Sequence, residues 1–73
     1  MNIQDLNYIN QLIQDLEFYI LEEDTINLIE TKKDLTQFLI NLPYSLPIKK
    51  LDWIAFYIDW CDEILKKQIN LLK

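Results

Sequence analysis

The chain contains no glycine, no histidine, no arginine and no valine, and it has a single cysteine. Each absence removes a class of structure or chemistry. Glycine is the usual residue for positive φ in hairpin turns and left-handed helix caps. A many-stranded sheet is therefore not expected, and helix ends must be closed by other residues. P-loops, dinucleotide-binding turns and EF-hand calcium loops also depend on glycine, so none is present in its usual form. Histidine is the commonest general acid–base residue and a leading zinc ligand. Without it no metal staple and no histidine-based catalytic constellation is expected. Cys61, being alone, offers no disulfide within the chain, which fits a reducing compartment.

Positive charge is also scarce. Seven lysines stand against twelve acids, for a net charge of −5. Nucleic-acid binding rests on a basic face, so direct nucleic-acid binding is not expected. The lysines fall in pairs, Lys32–Lys33, Lys49–Lys50 and Lys66–Lys67, but the residues around them do not repeat. No internal repeat is read from them. Met1 to Asp5 shows neither the positive start nor the apolar core of a signal peptide. The longest apolar run, Trp53 to Ile58, is far too short to span a membrane. The expectation is a cytoplasmic protein without membrane insertion. The bias toward isoleucine, asparagine and lysine suggests an AT-rich gene, of a kind frequent in low-GC bacteria and their phages and plasmids.

Apolar residues are abundant, at 51% of the 73 positions, and they recur at helical spacing. The reading is a single all-α domain over 1–73, a small three-helix bundle made of an αα-hairpin and a long C-terminal helix. A domain of this size buries only about 60% of its unfolded surface. It needs good packing, oligomerisation or a partner to stand. Dimerisation is therefore carried as an open alternative.

The first helix is expected over about residues 3–22. Leu6, Ile9, Ile13, Leu16 and Ile20 form its seam, widened by Tyr8, Leu12 and Tyr19, while Ile3, Phe18 and Leu21 fall on the polar side. Glu22 to Thr25 is the expected break, with Asp24 or Thr25 capping a second helix over about 25–42. Thr31 to Asp34 offers a second possible start. Leu28, Leu35, Phe38, Leu39 and Leu42 make the main face of this helix, and Ile26, Ile29 and Ile40 a lesser one. Pro43 ends it, because the residue before proline is pushed out of the helical region. Tyr44 and Leu46 mark a loop that packs down on the bundle. Ser45 is the expected cap of a third helix over about 46–72, with Pro47 in its first turn.

That third helix carries two apolar stripes. Leu51, Ile54, Ile58, Cys61, Leu65, Ile69 and Leu72 form one, and Trp53, Tyr57, Trp60, Ile64 and Leu71 the other. Together they cover an arc of roughly 220°, against the roughly 100° of an ordinary surface helix. The first stripe is assigned to the chain's own first two helices. The second is either core or interface.

Little catalytic chemistry is visible. Cys61 lies among apolar neighbours and reads as a small buried hydrophobe. Ser45, the only serine, reads as a cap. Asp52, Asp59 and Glu63 line one side of the third helix, and the simplest reading is a solvated face in which Asp59, Asp62 and Glu63 pair with Lys66 and Lys67. No catalytic residue, metal ligand or cofactor is expected. Tryptophan and tyrosine dominate binding hot spots. The expected partner-binding residues are therefore Trp53, Phe56, Tyr57, Trp60 and Ile64, with Asp52, Asp59 and Glu63 around them. The function expected is a non-enzymatic protein-interaction module, a small acidic inhibitor or regulator of anti-defence, antitoxin or immunity type. Its partner is another protein, with a basic surface fitting best. An obligate homodimer and a partial DNA mimic are the alternatives.

Overall fold

A computed structural model describes residues 2–71, with nothing described of the Leu71 side chain. Leu72, and the side chain of Leu71, thus lie outside the described part of the two stripes. The described chain is an all-α three-helix bundle. Its helices are α1 (Ile3–Leu21), α2 (Thr25–Ile40) and α3 (Ile48–Leu71). The molecule is a short rod, 43 × 18 × 18 Å.

Helix α1 begins with Asn2, whose side chain accepts from the Gln4 amide at 2.8 Å. Its inward seam is Ile9, Leu12, Ile13, Leu16 and Ile20, all buried. Burial of each such side chain stabilises by about 1.5–3 kcal/mol. Leu6 is half-buried, and Ile3, Phe18 and Leu21 are exposed, as the spacing predicts. Tyr8 is exposed rather than part of the seam, but its ring meets Phe38 of α2 edge-on, with centroids 4.7 Å apart.

The turn from α1 to α2 shows how a chain without glycine closes a helix. Glu23 takes the left-handed conformation, with φ of 55°. Its amide donates to the Ile20 carbonyl at 3.2 Å, and the Asp24 amide donates to the Tyr19 carbonyl at 3.0 Å. These two bonds make a Schellman cap with glutamate where glycine is usual. A Cβ is strained there by roughly 1 kcal/mol. Asp24 then caps α2, its carboxylate accepting from the Asn27 amide and side chain. The same residue thus closes one helix and opens the next, which makes a tight hairpin.

Helix α2 runs unbroken through Thr31, so the second possible start is not used. Leu28, Thr31 and Leu35 are its buried residues, with Phe38 and Leu39 packed against the core. Ile26, Ile29 and Ile40 are exposed, so the lesser face is an outer one. The helix ends at Ile40, two residues before the expected Leu42, with Asn41 as its C-cap, because Pro43 keeps Leu42 before it from continuing the helix. The connecting loop packs down as expected. Leu46 is buried, and the Tyr44 hydroxyl donates to Asp5 at 2.6 Å. That hydrogen bond, made by the protonated phenol, raises the Tyr44 pKa.

Ser45 does not cap α3. The helix starts at Ile48, and the Pro47 carbonyl receives the amides of Lys50 and Leu51, each at 3.0 Å. Ser45 stands two residues ahead of Pro47, too early to reach the first turn, and it is exposed.

Candidate functional site

Helix α3 is the longest of the three, at 24 residues against 19 and 16. It lies against the hairpin on the edge of the first predicted stripe that faces the second. Among its described side chains only Ile54 and Cys61 are fully buried. At 3.6 residues per turn, Lys50, Ile54, Cys61 and Gln68 fall within about 40° of one another. All four turn inward, two as apolar groups and two as polar fasteners. Lys50 Nζ donates to Asn10 Oδ1 at 2.7 Å, which ties the start of α3 to α1. Partial burial lowers the Lys50 pKa. At the far end the Gln68 side chain meets Thr25 Oγ1 and the Glu23 carbonyl.

This roll keeps the inner part of the first stripe on the hairpin, leaves its outer part uncovered, and brings part of the second stripe against the core. In the first, Ile58 and Leu65 are only partly covered, and Leu51 and Ile69 are 41% and 51% exposed. Leu51 and Ile69 sit about 80° round the helix from Cys61, past the edge of the hairpin. In the second, Tyr57, Trp60 and Ile64 are partly buried against the core, and Trp53 is 38% exposed. The second stripe is thus neither core nor free surface; it is the shoulder of the helix. Phe56, at 61% exposure, stands well outside it.

The expected binding residues are brought together on that shoulder. Phe56 touches Tyr57 edge-on at 5.4 Å and Trp60 at 6.2 Å between centroids. Trp53 meets Tyr57 at 5.6 Å, and Tyr57 meets Trp60 at 6.1 Å. Four rings therefore form one continuous aromatic surface over two turns, with Ile64 continuing it. Asp52, Asp59 and Glu63 are all exposed beside Phe56 on the outermost side. A shallow depression of about 340 Å³ is lined by Phe56, Asp59, Trp60 and Glu63.

The carboxylates do not pair as expected. Among the described residues the ion pair is Lys32 with Asp62, at 2.6 Å, across α2 and α3. Asp62 points to the hairpin side, so a lysine of another helix reaches it before Lys66 does. Asp52, Asp59 and Glu63 make no ion pair or hydrogen bond among the described residues. Lys50 and Gln68 are the contacts that the apolar pattern hid. Their shared helical phase with Ile54 and Cys61 was the signal that pointed to them.

Cys61 is fully buried. Burial, with Asp62 adding to it and Lys32 opposing it, pushes the thiol up to about 11. A thiol so held is a poor nucleophile at neutral pH. Among the described residues no group of three or more acidic, cysteine or histidine side chains stands close enough to hold a metal ion. No helix among them is long and apolar enough to cross a membrane. No protein-family model matches the chain, and neither a curated protein nor a solved structure matches it significantly.

Proposed function

We propose that this protein is a non-catalytic interaction module, a small acidic inhibitor or regulator that docks on another protein through the outer shoulder of α3. One observation carries the reading. Phe56 stands 61% exposed in a four-ring aromatic surface, beside three carboxylates that have no ion-pair or hydrogen-bond partner among the described residues. A folding requirement explains Tyr57 and Trp60, which help cover the core, but it does not explain Phe56. Aromatic rings with a charged rim are what a binding hot spot needs. The partner face that complements it is apolar at the centre and basic around it. A phage- or plasmid-borne role in anti-defence, immunity or toxin neutralisation suits a protein of this size and composition.

The charge order along α3 disfavours a twin as that partner. Lysines stand at both ends, Lys49–Lys50 and Lys66–Lys67, and Asp52, Asp59, Asp62 and Glu63 lie between. A full overlap of two such helices, parallel or antiparallel, sets lysines on lysines and carboxylates on carboxylates. Mimicry of nucleic acid fits less well too, because the acidic row stops at each lysine pair.

The test uses two substitutions on the full chain. Phe56→Glu is expected to abolish specific capture of the partner while helicity and thermal stability stay unchanged. Ile26→Ala, on the outer face of α2, is expected to leave capture intact. Retention of the same partner by Phe56→Glu would remove the proposed face. Sedimentation of the protein at micromolar concentration is expected to give a monomer.

A further inference from the structure

We propose that the depression between Phe56 and Trp60 receives an arginine side chain of the partner; this deepens the docking function above and rests on it. Its walls are two aromatic rings, tilted 47° to each other with centroids 6.2 Å apart. Its rim carries Asp59 and Glu63. These two are four residues apart on a helix, so they are surface neighbours. An aromatic face attracts a cation through its quadrupole, and a carboxylate adds a charge-assisted hydrogen bond. An arginine side chain uses both at once with the largest contact: a guanidinium is planar, lies flat on a ring and donates from its edge. A lysine ammonium is a compact, strongly hydrated point charge and exploits the flat walls less well.

The molecule holds its own comparison one turn earlier. Lys50 Nζ sits 4.0 Å from the centre of the Trp53 ring. That ring already has a cation from within the chain. Asp59 and Glu63 form no ion pair among the described residues, so the second aromatic site keeps its charge for another molecule. A second copy cannot supply the group, because the chain has no arginine. The arginine must come from a different protein, in keeping with the like-charge argument against a twin.

The slot can be probed without knowing the partner. N-acetyl-arginine amide is titrated into the full chain while the two indole N–H resonances are followed by NMR. A single such contact corresponds to a dissociation constant on the order of 10–100 mM. The Trp60 indole and the Phe56 ring protons are expected to shift progressively, and the Trp53 indole to stay. The citrulline counterpart, neutral but of the same shape, is expected to bind at least about fivefold more weakly, since it lacks the charge that both contacts need. The double variant Asp59→Asn with Glu63→Gln, at exposed positions, is expected to keep the fold and to narrow the difference between arginine and citrulline to the part that the rings supply. Equal shifts with citrulline, shifts confined to Trp53, or no shift at Trp60 up to about 100 mM overturn the slot. If Phe56→Glu still abolishes partner capture in that case, the docking face stands and the arginine assignment alone fails. If Phe56→Glu retains the partner, the docking face itself falls.

Discussion

Helices α1 and α3 are both rich in apolar residues and treat them differently. On α1 five aliphatic side chains disappear into the core along one seam, and glutamine, asparagine and acids cover most of the opposite side. Among the described residues of α3 only Ile54 and Cys61 disappear, five further apolar residues are half-covered, and Ile48, Leu51, Trp53, Phe56 and Ile69 stay exposed. Helix α1 is patterned for one set of neighbours, α2 and α3. Helix α3 is patterned for the hairpin and for something more. The contrast separates residues that make the fold from residues that the fold merely carries.

The largest expected effect lies on the α1 side. Leu16 is fully buried, so Leu16→Ala removes packing on every side and is expected to destabilise by about 3 kcal/mol. For a domain of this size that is most of the available stability. Urea unfolding followed by circular dichroism measures it. A loss under about 1 kcal/mol would mean that α1 is no more committed to the core than α3.

The next effect tests the small buried part of α3. An unfolded cysteine thiol ionises near pH 9.0, while folded Cys61 holds its proton to about 11. A folded pKa above the unfolded one gives a contribution that is complete below pH 9 and lost as pH rises through 11. Stability is therefore expected to fall across that window, by on the order of 2 kcal/mol. The Cys61→Ala protein is expected to lack this component of the alkaline loss. Thermal unfolding at stepped pH values distinguishes the two.

A smaller change sharpens the hairpin side. Asp24→Ala removes the cap of α2 from a residue that also completes the cap of α1, and is expected to destabilise by about 1 kcal/mol. The smallest effect belongs to the outer shoulder. Phe56→Ala is expected to change stability by no more than about 0.5 kcal/mol, since the ring is mostly in water. A large loss there would move Phe56 from the carried residues to the fold itself.

Much of the fold was legible because α1 states its direction clearly. Its apolar seam and polar back leave one orientation, and Ile9, Ile13, Leu16 and Ile20 were read from spacing alone. Helix α3 states two directions at once. With apolar residues over most of its circumference, the pattern points the first stripe inward but leaves the roll open, and the strip that turns inward is that stripe's inner edge, Ile54 and Cys61. The polar residues on that strip, Lys50 and Gln68, only make sense once Asn10, Thr25 and the Glu23 carbonyl are opposite them. The Glu23 cap was hidden for another reason: glutamate carries no local signal for left-handed backbone, and the turn geometry imposes it. The membership of the α3 aromatic group was readable, because residues at spacings of three and four on one helix must meet. Its partial burial was not, because that depends on the roll.

The fastening of α3 also has a consequence in time. Two polar clasps, Lys50 on Asn10 and Gln68 on the first turn, hold its ends, with a thin apolar seam between. Polar clasps at a wet surface open and reclose far more often than a buried aliphatic seam does. Release of the Gln68 end lets the last turns of α3 lift while the loop around Pro47 keeps the near end in place. Amide protons of those turns are then expected to exchange with solvent sooner than those of Ile9 to Ile20.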